Sequence, residues 1–418
     1  MNATQNNRLL YQLIFIVCVG VPYINNYELT FAVWLIALLA TVQLKYSVSF
    51  LKYVLPFVVI LLVGGFSMFS FDNDIYGIIR DITYLLKPII GMIVGYQLCK
   101  NVNHKAISTV IYGGLVIAII HLTIIFLSAV KYRILNIHVL REYGGYFSDY
   151  EIYVLIILLF HKQFQLQFIK RTLWLYIFLL GFSSALYVSR TNFIQFFIFF
   201  IALKGYLSVN KKTIAVLGSI ILTTVIGYSI IYNLHFSRNG SGLDAFFYKI
   251  KNAPIEAFKT KIDQDDYEDF NDNYRSFENI KTVKQVTAEG WFAIVFGKGL
   301  GSSVDVGRRM LTNDGTFVRH EAILHNTYMT VFLKSGLIGV LCLLYSMYVL
   351  TKNKKSPIPK VNQINLLLFA TGVFLILENW VLLGLFLKTE SKAVLIGFLI
   401  CYKEFLIKQH QLETVTNE

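Results

Sequence analysis

Charged side chains are scarce in this sequence. They make up 15% of its 418 residues, whereas 56% are hydrophobic. Long uncharged runs recur along the whole length, which excludes a soluble domain with one anchor and predicts an all-α polytopic membrane protein. Because a helix needs about 20 apolar residues to cross a bilayer, we predict about twelve transmembrane helices. They lie near residues 9–24, 29–44, 53–71, 82–98, 106–130, 149–161, 172–188, 191–208, 213–233, 323–350, 361–384 and 391–407.

Cysteines, repeats and paired acids are also scarce. The four cysteines lie in or beside the predicted spans without metal-ligand spacing, so we predict neither a disulfide framework nor a metal site. The absence of an internal repeat gives no support to an inverted-repeat transporter. The acids of the loops form a polar strip and not a pair framed by apolar sequence, which argues against glycosidase chemistry. We expect no cofactor.

The basic residues have an ordered distribution. The formal net charge is +13, and every second connection between predicted spans is basic. This is the positive-inside pattern, which places both termini in the cytoplasm and argues against nucleic-acid binding as the reason for the basic charge. The residues are Lys45, Lys52, Lys100, Lys105, Lys162, Lys170, Arg171, Lys204, Lys211, Lys212, Lys352, Lys354, Lys355 and Lys360.

The opposite face has three longer connections, at 71–81, 131–149 and 234–322. The third lies between the ninth and tenth spans. It is far longer than an ordinary connection, which predicts a small structured element or lid on one membrane domain that covers 1–418. Its segment 262–274 is acidic, and we expect an ordered turn or a mobile strip in water. An amphipathic helix should follow, since apolar residues recur at helical spacing at Phe277, Ile280, Val283 and Val286.

His325 and Asn326 open an apolar segment on this outer face. A lone histidine at a helix mouth is most often an interfacial polar residue, but its neutral ring also suits a general base. Asn326 either orients a sugar hydroxyl or caps the helix. The glycine-rich stretch GKGLGS (297–302) either cradles phosphate with its N–H groups or is a plain turn, and the plain turn is favoured.

Basic residues on the outer face suggest a negatively charged ligand, because positive charge is not expected on that side. Arginine suits phosphate, since its planar fork binds two oxygens at once. The alternatives are a side chain that reaches the lipid head groups or, for Lys334, an ion pair with an acid such as Glu378. The candidates are Arg80, Lys87, Arg141, Arg190, Arg275 and Lys334.

Three stretches taken together resemble the O-antigen polymerase and O-antigen ligase superfamily. HNTYMTVFLKSGLIGV (325–340) is similar to the His-Asn motif that follows the large external loop in that family, with Gly336 and Gly339 as its GxxG. YVSRTNFIQFF (187–197) resembles the Ser-Arg motif, and NYRSFENIKTVKQVTAEGWFAIVFGKGLGS (273–302) resembles the loop segment with an arginine, a helix and a GxG turn. Lys334 stands where family members often carry an acid.

The resemblance implies a glycosyl transfer from undecaprenyl diphosphate on the outer side of the cytoplasmic membrane. His325 would be the base or would orient the acceptor, while Arg190 and Arg275 would hold the diphosphate. Substrate binding would extend to Asn326, Arg80, Lys87, Arg141, Lys334 and Tyr274. The partners implied are the lipid-linked glycan, membrane lipids and a chain-length regulator.

The resemblance leaves three functions open. The first is a polymerase that joins oligosaccharide repeats into O-antigen or capsule, metal-independent and inverting. The second is a ligase that moves the finished chain to lipid A-core or another acceptor. The third is a lipid-linked glycan flippase or another transporter. A transporter should carry charged residues midway through several helices, whereas the charges here gather at one face, which favours a reaction at the membrane surface.

Overall fold

The computed structural model describes residues 3–43, 45–133, 136–206, 211–238, 240, 243–311, 317–352 and 355–417, and the fold is all-α as predicted. Before the long loop come α1 (Ala3–Gly20), α2 (Tyr27–Ala40), α3 (Val48–Ser67), α4 (Ile75–Val102), α5 (Ala106–Tyr132), α6 (Ile137–Gly144), α7 (Asp149–Leu159), α8 (Lys170–Leu186), α9 (Arg190–Leu203) and α10 (Lys211–Asn233). The loop holds α11 (Leu243–Phe258), α12 (Tyr267–Asp272), α13 (Tyr274–Ala288), α14 (Trp291–Phe296), β1 (Val304–Leu311) and β2 (Phe317–Glu321). After it come α15 (Thr327–Thr351), α16 (Pro359–Val381) and α17 (Lys392–Asn417).

Each of the twelve predicted segments coincides with a helix, but fewer helices meet the requirements for a membrane span. Among the described residues, four stretches are long and apolar enough: Val48–Ser70, Ile75–Tyr132, Thr327–Thr351 and Pro359–Val381. These four mark the chain as a membrane protein. By contrast, α9 has 14 residues and extends over about 21 Å, which is less than the hydrocarbon core of about 30 Å. Four candidate spans, and not twelve, are therefore evident.

Capping side chains explain where several helices begin. The carboxylate of Asp74 accepts the Gly77 N–H at 3.0 Å and starts α4. The amide oxygen of Asn326 accepts the Met329 N–H at 3.2 Å and starts α15. Such caps satisfy N–H groups that have no partner within the helix. The cap interpretation of Asn326 is confirmed, and it leaves His325 as the residue directly outside the helix.

The centre of the bundle is the crossing of α4 and α17, where two glycines bring the backbones together. A Cβ atom at Gly95 would lie 1.9 Å from the Val394 carbonyl oxygen. One at Gly397 would lie 1.9 Å from the Met92 carbonyl oxygen. Small residues at a crossing allow this approach and so favour helix association in a membrane. The start of α17 is thereby held against the middle of α4.

The glycine-rich turn after α14 docks the long loop onto the bundle. The Lys298 N–H donates to the Leu333 carbonyl at 2.7 Å, and the Leu300 N–H donates to the Gly64 carbonyl at 3.1 Å. Gly299 has a φ of +81°, and a Cβ there would lie 2.3 Å from the Met68 backbone nitrogen. These two N–H groups donate to backbone carbonyls of α15 and α3. The interpretation of GKGLGS as a plain turn therefore accounts for this segment.

The remainder of the loop is folded as well. A helix, α13, occupies the segment predicted to be amphipathic, and the acidic segment before it contains α12, whose Asp272 pairs with Arg238 at 2.9 Å. A feature absent from the prediction is the antiparallel hairpin of β1 and β2, in which Val304 pairs with Glu321. Its second strand is largely exposed, and the alternation in β1 extends only over Val304, Asp305 and Val306, which is too short to reveal a strand in a sequence.

Hydrogen bonds among helix ends and loops show which of them lie together at each end of the bundle. At one end, Glu404 of α17 accepts hydrogen bonds from Ser47 at 2.6 Å and from Tyr96 at 2.7 Å. At the other end, the long loop contacts the start of α4 and the start of α9, and Thr327 of α15 donates to the Leu382 carbonyl at 2.9 Å. The end with the long loop also carries the candidate residues described below.

Candidate active site

His325 lies directly before α15 and is held by a buried carboxylate. Its Nδ1 atom is 3.1 and 3.0 Å from the two carboxylate oxygens of Glu278, and its backbone N–H donates to the same carboxylate at 3.2 Å. Glu278 comes from α13 and is fully buried, whereas the His325 side chain is 53% exposed. The carboxylate therefore fixes the ring of His325, while the ring remains accessible from outside.

The charge of Glu278 sets the chemistry of this histidine. The hydrogen bond to Glu278 raises the pKa of His325, burial lowers it in part, and the positive charge of Arg275 also lowers it. When the ring is neutral, an Nδ1–H bonded to the carboxylate leaves the lone pair on Nε2. A carboxylate-oriented imidazole is the arrangement of a general base, with Nε2 as the atom that takes the proton.

Tyr274 forms one wall beside this pair. Its ring meets the His325 ring edge-on, with 5.9 Å between the centroids. Burial raises the pKa of Tyr274, and the negative charge of Glu278 raises it further, so the phenol stays protonated. The position of this ring agrees with its predicted membership of the site.

Four basic residues form a cationic cluster near this end, namely Arg141 on α6, Arg190 on α9, Lys249 on α11 and Arg275 on α13. Arg190 donates from Nη1 to the Lys249 carbonyl at 2.8 Å. Arg275 pairs with Glu256 of α11, with 3.2 Å between Nη1 and Oε1. Both arginines thus contact α11.

Electrostatic effects join the members of the cationic cluster. Burial lowers the pKa of Lys249, and the charges of Arg190 and Arg141 lower it further. Burial likewise lowers the pKa of the Arg141 guanidinium, and Arg190 adds to the effect although Tyr146 opposes it. Like charges at close range raise one another's energy, and a bound anion relieves this repulsion. The cationic cluster is therefore suited to a ligand with more than one negative charge.

Arg80 and Lys334 belong to a different arrangement around Asp81. The Lys334 ammonium is buried, lies 2.5 Å from Asp81 Oδ2 and also donates to the Ser302 carbonyl. Arg80 lies 3.3 Å from the other oxygen of Asp81, and the Gly301 N–H donates to this carboxylate at 2.7 Å. Lys334 thus pairs with Asp81 and not with Glu378, and its geometry is that of an anchor between α4, α15 and the glycine-rich turn.

Lys87 is likewise placed away from His325. Its ammonium is buried, donates to the Leu387 carbonyl and to the Lys388 carbonyl at 3.1 Å, and lies 5.4 Å from the centre of the Trp34 ring. Arg80 is closer to the site, because its positive charge acts on Glu321, a residue whose carboxylate also interacts with His325. Among the predicted residues, His325, Tyr274, Arg141, Arg190 and Arg275 are therefore at the site's end of the molecule, with Arg80 at its edge.

Sequence reasoning missed Glu278, although a signal existed. The apolar spacing predicts a buried face of α13 that includes Val283, but Val283 is 41% exposed. The face that is buried contains Glu278, Thr282 and Val286, which recur every four residues. An acid within a stripe at helical spacing that includes a buried apolar residue indicates a paired carboxylate. Lys249 and Glu256 carried no comparable signal.

Comparisons with known proteins found no match, either to a protein-family model or to a curated protein. The likeness to the O-antigen superfamily therefore rests on the short motifs quoted above.

Replacing Glu278 by Gln tests the electrostatic link within the pair. The variant keeps the shape of the side chain but removes the charge that favours the imidazolium, so we expect the pKa of His325 to fall. The pair stabilises the wild-type fold fully below the ordinary histidine pKa of about 6.5, and this contribution disappears as pH rises through the folded-state pKa. An NMR titration of ¹⁵N-histidine-labelled protein measures the shift.

The His325 resonance in that titration is assigned with His325→Gln. Glu289→Gln, at an exposed glutamate at the end of the same helix, serves as the matched control and should leave the titration unchanged. An unaltered His325 pKa in Glu278→Gln would contradict the pairing.

Proposed function

We propose that this chain is a membrane glycosyltransferase that polymerises oligosaccharide repeats carried on undecaprenyl diphosphate into O-antigen or capsular polysaccharide. The observation that carries the proposal is the His325–Glu278 pair at the same end of the bundle as the cationic cluster. A base and an anion site together meet the two needs of this transfer. The resemblance of the His-Asn, Ser-Arg and loop motifs supports the same assignment.

Departure of a lipid diphosphate requires stabilisation of negative charge more than it requires a strong acid. Arg190 and Arg275 would hold the diphosphate, with Lys249 and Arg141 adding positive charge beside them. Glu256 engages Nη1 of Arg275, which leaves the other guanidinium N–H groups for phosphate oxygens. The residues of the chain thus supply this stabilisation without a metal ion.

Activation of the acceptor requires the removal of a proton from a sugar hydroxyl. In the proposal, Nε2 of His325 accepts this proton as the hydroxyl attacks the anomeric carbon and the diphosphate departs. Glu278 stabilises the resulting imidazolium. Attack from the face opposite the leaving group inverts the anomeric centre, an outcome that the resemblance also implies.

The proposal places the twelve helical segments across a bacterial cytoplasmic membrane, with both termini in the cytoplasm and the long loop outside. The positive-inside pattern supports this orientation. So does the grouping of Ser47, Tyr96 and Glu404 at the end remote from the loop. The short helices α7 and α9 would then cross a locally thin bilayer or pack behind longer neighbours.

Reporter fusions test the orientation. Fusions after residues 47, 102, 166, 209 and 355 should report the cytoplasm, and a fusion near 265 should report the exterior, because basic connections are retained inside. Paired alkaline phosphatase and fluorescent-protein reporters give the readout. A cytoplasmic signal at 265 would place the His325 pair on the wrong side for a lipid-linked substrate that is presented outside.

Replacing Arg190 or Arg275 by Lys tests the diphosphate contact. Lysine keeps the charge but loses the two-pronged contact with phosphate oxygens, so each variant should lose most polymer while its level in the membrane stays normal. Arg171→Lys, at an exposed residue remote from the site, is the matched control. Wild-type polymer in both site variants would assign the two arginines to interfacial anchoring.

Replacing His325 by Ala tests the base. A positioned base contributes roughly 10²–10⁴-fold to a rate, so we expect long chains to disappear from a gel of surface glycans while the protein still folds. In cells with a working ligase, single repeats should still reach the acceptor. His320→Ala, at an exposed histidine of the same loop, is the control.

The same gel, with an assay of the lipid-linked pool, separates the alternatives. A ligase predicts long chains that accumulate on undecaprenyl diphosphate without transfer. A transporter predicts lipid-linked units that stay on the cytoplasmic face. Normal long chains in a stably expressed His325→Ala strain would end the catalytic assignment.

A further inference from the structure

Four charged side chains meet inside the bundle, away from His325. Asp149 is the first residue of α7, Glu378 lies in the last turn of α16, Glu390 lies in the connection before α17, and Lys392 is the first residue of α17. The Lys392 ammonium contacts the carboxylates of Asp149 and Glu378 and lies 3.4 Å from that of Glu390. We call these four residues the buried carboxylate cluster, since their side chains are 0–3% exposed.

The charges of the buried carboxylate cluster do not balance. Three carboxylates face one ammonium, and one further cation, Lys87, interacts with Glu390. Two positive charges thus stand against three negative ones. Within the described residues, the ion pairs of the three carboxylates are with Lys392 alone. An uncompensated charge in a membrane interior is costly, so one more positive charge is required.

The other titratable groups around the cluster are neutral hydroxyls or a further acid. Tyr153 bonds to Thr371 at 2.6 Å, and Tyr23 bonds to Ser148 at 2.8 Å. Glu151, two residues after Asp149 on α7, accepts a hydrogen bond from Tyr187 at 3.1 Å. These groups supply no positive charge, so the protein itself leaves the imbalance in place.

Several polar atoms in and beside the buried carboxylate cluster lack a hydrogen-bond partner. Within the described residues these include Oε1 of Glu378 and both carboxylate oxygens of Asp149, although Asp149 Oδ2 contacts the Lys392 ammonium. Gln195 of α9 is fully buried, donates to the Asp149 carbonyl at 3.3 Å, and leaves its own Oε1 without a partner. Asn192 presents both amide atoms unpartnered one turn earlier on the same helix. The site therefore contains acceptors that need a hydrogen.

Glu378 is the carboxyl best placed to carry that hydrogen. Glu390 accepts the backbone N–H of Lys392 and so caps α17, where a negative charge is favoured. Asp149 opens α7, where the helix dipole also favours a negative charge. Glu378 instead lies in the last turn of α16, beside carbonyl groups with partial negative charge.

A metal ion is not the fitting ligand. Oxygens of the three carboxylates lie within 4.8 Å of one another, close enough to share a cation. The Lys392 ammonium already lies among them and contacts each. We propose that the buried carboxylate cluster is a proton-binding site, in which Glu378 carries one proton beside the Asp149–Lys392–Glu390 ion pairs.

Infrared spectroscopy of the full chain in lipid nanodiscs tests this site. At neutral pH the wild type should show the C=O band of a protonated carboxylic acid, displaced in D₂O, and Glu378→Gln should lose it. Glu404→Gln, at a carboxylate surrounded by hydroxyl donors at the other end, should keep the band. Glu151→Gln shows whether that residue contributes a separate component. A Glu378→Gln spectrum identical to the wild type would overturn the proposal.

Thermal unfolding provides a second, independent measurement. Above the ordinary glutamate pKa of about 4.3, a chain that binds a proton only when folded loses stability as pH rises. The wild-type midpoint should therefore fall toward alkaline pH more steeply than that of Glu378→Gln. A wild-type midpoint raised by sodium chloride but not by choline chloride, with no such effect in Glu378→Gln, would instead assign the site to sodium and overturn the proposal.

The wild type alone keeps the proposal testable if Glu378→Gln fails to fold. The carboxylic acid band should shift in protein labelled with ¹³C-glutamate and not in protein labelled with ¹³C-aspartate. A shift with aspartate only would place the proton on Asp149 and contradict the assignment to Glu378.

Discussion

A carboxylate inside this bundle needs a partner, and the partners of Asp81 determine how the molecule is assembled. Asp81 lies on α4 and is 1% exposed. It pairs with Lys334 of α15 and accepts the Gly301 N–H from the glycine-rich turn. Removal of one partner from a buried ion pair strands a charge and costs about 3–5 kcal/mol. This one carboxylate therefore joins the first half of the bundle, the long loop and the second half.

The docked loop in turn creates the candidate active site. The glycine-rich turn docks the end of α14 on the bundle, and α13 directly precedes α14 in the chain. Glu278 of α13 thereby contacts His325, which lies directly before α15. On the other side, α11 brings Lys249 and Glu256 against Arg190 and Arg275. The loop is therefore part of the candidate site and supplies Glu278, Lys249, Glu256 and Arg275 to it. The His325–Glu278 pair and the cationic cluster, which come from separate elements, both depend on the docked loop.

The charged groups of this protein are thus of two kinds, those shielded from solvent and those that reach the surface. Asp81 with Lys334 and the buried carboxylate cluster are shielded from solvent, whereas His325 and the exposed parts of Arg80 and Arg275 reach the surface. Shielded pairs strengthen their attraction in a low dielectric and hold helices in register. Groups at the surface keep hydrogen-bonding atoms that a ligand can contact.

The sequence by itself determined the helical class and the membrane setting and placed a helix at α13, because hydrophobic runs and spacing act over a few neighbouring positions. It offered the helix cap at Asn326 as one of two interpretations. It also singled out His325, Arg190 and Arg275. Only the tertiary structure decided that Glu278 holds His325, that Lys334 pairs with Asp81 and that Glu378 belongs with Lys392. Each of these pairs except the last joins residues more than forty positions apart, and no local pattern states which buried acid a distant cation will meet. Burial makes such pairing obligatory, but the packing of the helices selects the partner.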